Sequence, residues 1–389
     1  MADRRADTYS ETFSSYEGLL SEVNEMEENS AWIGNVPTET ITMEAVYPIE
    51  APRVAGMYGL DPTLTMETAN PADGTNLILI GGGRAYLVRD TAIPTIQEAA
   101  KLSGSALGRM NPNAYSSVLN EGFAVARGCS LFLERYGKLS ACHSGSEAGY
   151  QIMPIPDLLE ATREEAERRF GEIEFKQGYN SHAFTEAWWT LPAAQSKLVD
   201  KYQRALDEAG VVSNYAINFM PALHFYSSDT ANSCATLTPV FIMPGNRAIQ
   251  LVDGIKVKHT RKGEGKTGTE LYRERIGEIY SRFGDFPAAV IRLAGMEIRH
   301  PENCVISLCK RYAISKKYGE AAREEVCRCC AGGGRMNAHD LIVAMTATVA
   351  AARMSGASRL TVNNMEEAVA KMAFLPDFGE HDVGGTVSW

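Results

Sequence analysis

At Gly268 the chain changes its hydrophobic period. Upstream, from about residue 75 to 260, short apolar runs alternate with glycine and asparagine turn signals. Downstream, the apolar residues recur at helical spacing over Thr269–Phe283, Ala288–Ile298, Val305–Tyr318, Glu320–Cys330 and His339–Ser355, and a further helix opens at Asn363-Asn364. Strands joined by tight turns favour antiparallel pairing. Strand-rich then helix-rich order predicts an α+β protein: an antiparallel sheet with packed helices, followed by a helical C-terminal half.

Within the strand-rich stretch, Asn76–Asp90 places Leu77–Ile80 and Ala85–Val88 on either side of Gly81-Gly82-Gly83, which predicts a β-hairpin. A dinucleotide loop is excluded there. Counted from Gly81, its last glycine would fall on Tyr86, and no helix start follows. Pro156–Phe170 and Pro192–Ala209 read as helices between strands, the second ended by Gly210. Trp188 and Trp189 lie together in the expected strand Ala183–Leu191, so one ring faces the core and the other faces away. Three regions are expected: an acidic, partly mobile arm over 1–70, an antiparallel α+β core over 71–267, and a helical region over 268–389.

Charge is distributed unevenly. The net charge is −10. Residues 1–100 hold 5 Lys+Arg against 16 Asp+Glu, whereas residues 251–335 hold 17 against 11. The densest basic run is Lys256, Lys258, His259, Arg261, Lys262 and Lys266. Alternation puts Lys256 and Lys258 on one face of a strand, and the remaining cations sit around Gly263 and Gly265. Several cations along a strand edge and its loop suit a phosphate backbone. Trp188 or Trp189 would supply base stacking, and Tyr150, Tyr179 and Tyr215 are further candidates. The alternative is an edge strand blunted by lysines.

Other chemistries find little support. Gly265-Lys266-Thr267 resembles the end of a phosphate loop, but the required first glycine is Thr260. Cys304, Cys309, Cys327, Cys329 and Cys330 lack the paired short knuckles of a zinc site. Buried thiols are expected, with a metal-dependent enzyme as an alternative. The seven histidines form no metal-ligand or catalytic pattern, and no cofactor, metal or catalytic residue is expected. No apolar run reaches membrane-spanning length. The N-terminus has no apolar signal region, so a cytoplasmic setting is expected.

The hairpin Leu77–Asp90 and the strand Gly178–Leu191 are followed by Ser228-Asp229-Thr230-Ala231-Asn232-Ser233 ahead of Leu237-Thr238-Pro239, then by Val257-Lys258-His259-Thr260 ahead of a long helix. This order resembles a phage- and plasmid-encoded family catalogued as domain of unknown function number nine hundred and thirty-two, over about residues 70–330. The resemblance implies a mobile-element origin, a bacterial-cytosol setting and no established catalytic residues. In outline the order is also similar to single-strand annealing proteins of the Red-beta and Erf types, which form rings or filaments. The expectation is a single-stranded nucleic-acid binding or annealing protein acting as a homo-oligomer. A self-assembling protein with no nucleic-acid role is the structural alternative.

Overall fold

The structure is a computed structural model that describes residues 3–210, 219–231, 234–243, 247–249, 252–259, 266–298, 300–311, 314, 316–330 and 336–349. In chain order its N-terminal elements are β1 (Ser10–Phe13), α1 (Tyr16–Glu28), β2 (Ser30–Pro37), β3 (Thr42–Ala45), α2 (Ala51–Tyr58), α3 (Pro62–Thr68), β4 (Leu77–Gly81) and β5 (Arg84–Val88). Next come α4 (Ile93–Ala99), α5 (Pro112–Val125), β6 (Cys129–Arg135), β7 (Lys138–Ser144) and α6 (Ile155–Phe170). Then follow β8 (Glu174–Ser181), β9 (Thr185–Thr190), α7 (Gln195–Glu208), β10 (Met220–Ser227), β11 (Ala235–Met243), β12 (Arg247–Ile249) and β13 (Ile255–Val257). After β13 the chain is mainly helical, with α8 (Gly268–Ile276), α9 (Ile279–Gly284), α10 (Phe286–Ala294), α11 (Pro301–Arg311), α12 (Lys316–Cys329) and α13 (Ala338–Val349). The protein is α+β, as the change of period predicts. No described helix is long and apolar enough to cross a membrane.

Two sheets carry the molecule. One runs β2-β6-β7-β5-β4-β3 and is antiparallel except for a parallel β5–β7 pair. The other runs β1-β8-β9-β10-β11-β12, with β13 also paired to β11, and is antiparallel throughout. The β4–β5 hairpin closes through Gly82 and Gly83, at φ 59° and 78°. Two positive-φ residues make the turn whose twist matches the strands, and glycine adopts them without a Cβ clash. The first sheet is covered on both faces. Ile96, Leu119 and Phe123 pack on Leu79, Tyr86 and Phe132, while Val54 and Leu64 pack on Ile78 and Leu87.

The second sheet packs one face against helices, and its other face carries a small cluster of Ala222, Val240 and Ile242. Trp189, Leu223, Phe225, Leu237 and Phe241 meet Leu19 and Val23 of α1, Leu158 and Leu159 of α6, Tyr202 of α7 and Tyr272 of α8. The first seventy residues, expected to form a separate arm, are built into both sheets. β1 pairs with β8, β2 with β6 and β3 with β4. Ser15 caps α1 by accepting from the Gly18 N–H, and Leu19, Val23 and Met26 recur on its core side at helical spacing. The acidic residues Glu22 and Glu25 bind Arg4. The helix expected at Asn363 lies outside the described residues.

Candidate nucleic-acid interface

Strand alternation separates the two tryptophans. Trp189 is 1 % exposed and packs edge-on to Phe175, at 5.8 Å between ring centroids. It is a core residue, and its expected role in base stacking is corrected accordingly. Trp188 points to the opposite face, where it is half-buried. Its ring lies flat on His224 of β10, at 3.9 Å and 12°. The Trp188 Nε1–H donates to Glu186 Oε1 at 2.6 Å, and His224 Nε2 lies 3.0 Å from the same oxygen.

The ring surface continues from this pair. Tyr226 is two residues beyond His224 on the same face, and it stacks on Phe184 at 4.8 Å and 23°. Phe184 in turn meets Tyr179 of β8 at 5.1 Å. Burial, with help from Glu186 and Tyr179, pushes the Tyr226 hydroxyl well above its ordinary value, so it stays protonated. Aligned stacks of this kind are favourable among partly buried rings.

Register places a cation on the same face. Thr12 pairs with Tyr179, Tyr179 with Glu186, Glu186 with Tyr226, Tyr226 with Thr236, and Thr236 with Lys256. Partners directly opposite in a sheet project to the same side, so these six residues form one row. At about 4.8 Å between strands the row is about 24 Å wide. Ile255 and Val257 are buried, whereas Lys256 and Lys258 are exposed, as alternation predicts. Neither lysine is ion-paired with a described residue. Arg275 of α8 donates to the Lys256 carbonyl at 2.5 Å and ties the strand to the helix behind it. That helix begins in a capping box, with the Thr267 hydroxyl accepting from Glu270 N–H and the Glu270 carboxylate accepting from Thr267 N–H.

The other expected cations part ways. Lys266 pairs with Glu274 at 2.5 Å, so its charge is already compensated. His259 is turned inward, 9 % exposed, with Nδ1 hydrogen-bonded to the Gln151 carbonyl at 3.1 Å. Burial lowers its pKa, which leaves a neutral ring at neutral pH; this corrects its expected phosphate contact. Arg261, Lys262 and Tyr215 lie outside the described residues. Glu186, His224, Tyr226 and Phe184 escape a reading by residue type. Their signal is the period of two in Glu186–Trp188 and His224–Tyr226.

Where the two sheets meet, a polar seam lies beneath this region. Arg135 and Asp229 form a buried ion pair at 2.5 Å, and the Asp229 carbonyl accepts from His143 Nε2 at 2.7 Å. His143, Tyr150 and His259 stack in sequence at 4.5 and 5.3 Å, with Trp32 against the first two. Asp229 and His259, distant in sequence, thus converge at one junction. The cysteines do not. Cys304 and Cys309 are buried on α11, Cys327 is exposed on α12, and among the described residues no three His, Cys, Asp or Glu side chains are set to hold a metal. No protein-family model, curated protein or solved structure matches the chain.

Proposed function

We propose that the outward face of the second sheet binds single-stranded nucleic acid, with bases on Trp188, His224 and Tyr226 and phosphates along Lys256 and Lys258. The observation that carries this reading is the row that sets Tyr226 and Lys256 in register on one face. Unstacked bases offer a π-face to any ring, whereas duplex bases do not, so such a platform favours single strands. Glu186, at the centre of the row, repels phosphates from the middle of the face and leaves them the lysine margin. The same reading takes the protein to act as an assembly of copies in annealing.

Fluorescence polarisation with a labelled single-stranded oligonucleotide at low salt tests the reading. Wild type is expected to bind, and a duplex of the same length to bind at least about tenfold more weakly. Absence of single-strand affinity at low salt overturns it.

A further inference from the structure

Residues 3–9 close over a second cationic site that the sheet-face reading does not use. Arg89, at the end of β5, and Lys138, at the start of β7, are 0 % and 1 % exposed. Both look to one carboxylate oxygen, Asp7 Oδ1, at 4.0 Å from Arg89 and 2.9 Å from Lys138. A guanidinium carries five N–H donors in a planar fork. Here the Arg89 bonds to the carbonyls of Arg5, Ala6 and Arg135 are each 3.4 Å long, at the weak end of the range, and its Nε is buried with no partner. Burial pulls the Arg89 pKa down to about 10, partly offset by Asp7 and Asp90. Asp90 and Glu67 are the other carboxylates facing the seam, the latter 3.8 Å from Lys138.

We propose that this seam is an anion site filled by the chain's own Asp7, and that a phosphate-class dianion takes Asp7's place when residues 3–9 lift. A tetrahedral oxyanion offers the fork two acceptors at once and still reaches the ammonium, which one carboxylate oxygen does not. The segment that lifts is held by few side chains. Arg4 grips Glu22 and Glu25, and the Tyr9 hydroxyl donates to Glu22 at 2.5 Å. β1, which follows, is an edge strand of 4 residues paired only to β8.

The test titrates inorganic phosphate against the full chain, with chloride at matched ionic strength as reference. In wild type, phosphate is expected to speed amide exchange of residues 3–9 several-fold. Asp7→Asn, which removes the carboxylate that occupies the site and leaves Asp90 and Glu67 at its edge, is expected to bind phosphate about tenfold more tightly than wild type, read as a larger phosphate-dependent rise in Tm. Adding Lys138→Met to Asp7→Asn abolishes the rise. Should Asp7→Asn fail to fold, Tyr9→Phe loosens the clasp without touching the seam, and the same gain in phosphate response is expected. A hexathymidylate with and without a 5′-phosphate separates a terminal phosphate from the free ion, since only the phosphorylated strand reproduces the effect if the former enters. Exchange and Tm that respond identically to phosphate and chloride in wild type and in the variants overturn the proposal.

Discussion

Adjacent residues of one kind do opposite work in this chain, and Trp188 and Trp189 make the contrast measurable. Trp189 fills core volume against Phe175 and Tyr16. Trp189→Ala is expected to cost about 3–5 kcal/mol of stability, because the cavity left behind adds to the lost transfer energy. Trp188, half-buried on the opposite face, stacks on His224, donates to Glu186 and packs on the small cluster of Ala222, Val240 and Ile242. Trp188→Ala is expected to shift the urea midpoint far less, while weakening single-strand binding by about 1–3 kcal/mol, the worth of one stacked base. Parallel urea melts and polarisation titrations check both. Equal loss of binding in two equally stable variants removes the assignment of faces.

Elements add what single residues lack, namely a line of charge. Lys256 projects from β13 opposite the buried Ile255 and Val257, Lys258 lies one residue past the strand's end, and both are exposed without described ion partners. Replacing both by glutamate is expected to weaken binding and to reduce the slope of log affinity against log salt by about 1.4, at about 0.7 per neutralised phosphate on a single strand. An unchanged slope removes the lysines from the interface. β13 owes its position to α8, so Thr267→Ala, which breaks the capping box, is expected to cost about 1 kcal/mol by thermal melt. Much at this scale was legible. The Gly82-Gly83 hairpin, α6, α7 and the turn to helices at Gly268 follow from local period and punctuation, because their hydrogen bonds close within a few residues. The register of Glu186 with Tyr226, and of Thr236 with Lys256, joins strands that are distant in sequence, and β10 carries rings or apolar groups on both faces, so no polar contrast marks its outer side. The acidic N-terminal stretch suggests an arm by its charge. Its Leu19–Val23–Met26 stripe, at spacings of four and three, is the signal that outweighs the glutamates.

For the whole molecule, the two sheets are joined by ionisable groups whose partners lie far apart in sequence, as with Lys138 and Asp7 or Arg135 and Asp229. Such a seam is invisible to periodicity, and it makes stability depend on pH. His143 and His182 are buried at the junction, and burial lowers them to about 4 and about 2; for His182, Arg89 and Arg135 push in the same direction. His259 is lowered by burial as well. In the unfolded chain each takes up a proton near pH 6.5. A depressed folded pKa favours the folded state fully above 6.5, and this advantage drains away as pH falls from 6.5 towards 4. For His143 the difference amounts to roughly 3 kcal/mol across that window. Glu27 and Asp90 oppose the trend. Burial raises both carboxyls, helped by Asp229 at Glu27 and by Asp7 at Asp90, so their protonation relieves the folded state as pH falls. Three histidines, two of them lowered far, against these two carboxylates leave a net loss. Urea midpoints are therefore expected to drop between pH 7 and pH 5, in a range where ordinary carboxylates have barely begun to titrate. His143→Gln, which keeps a donor for the Asp229 carbonyl but binds no proton, is expected to flatten the drop by about the His143 share. A midpoint that stays level from pH 7 to pH 5 in wild type would mean that the histidines gain their protons without opening the seam, and that the sheets are held by their apolar clusters alone.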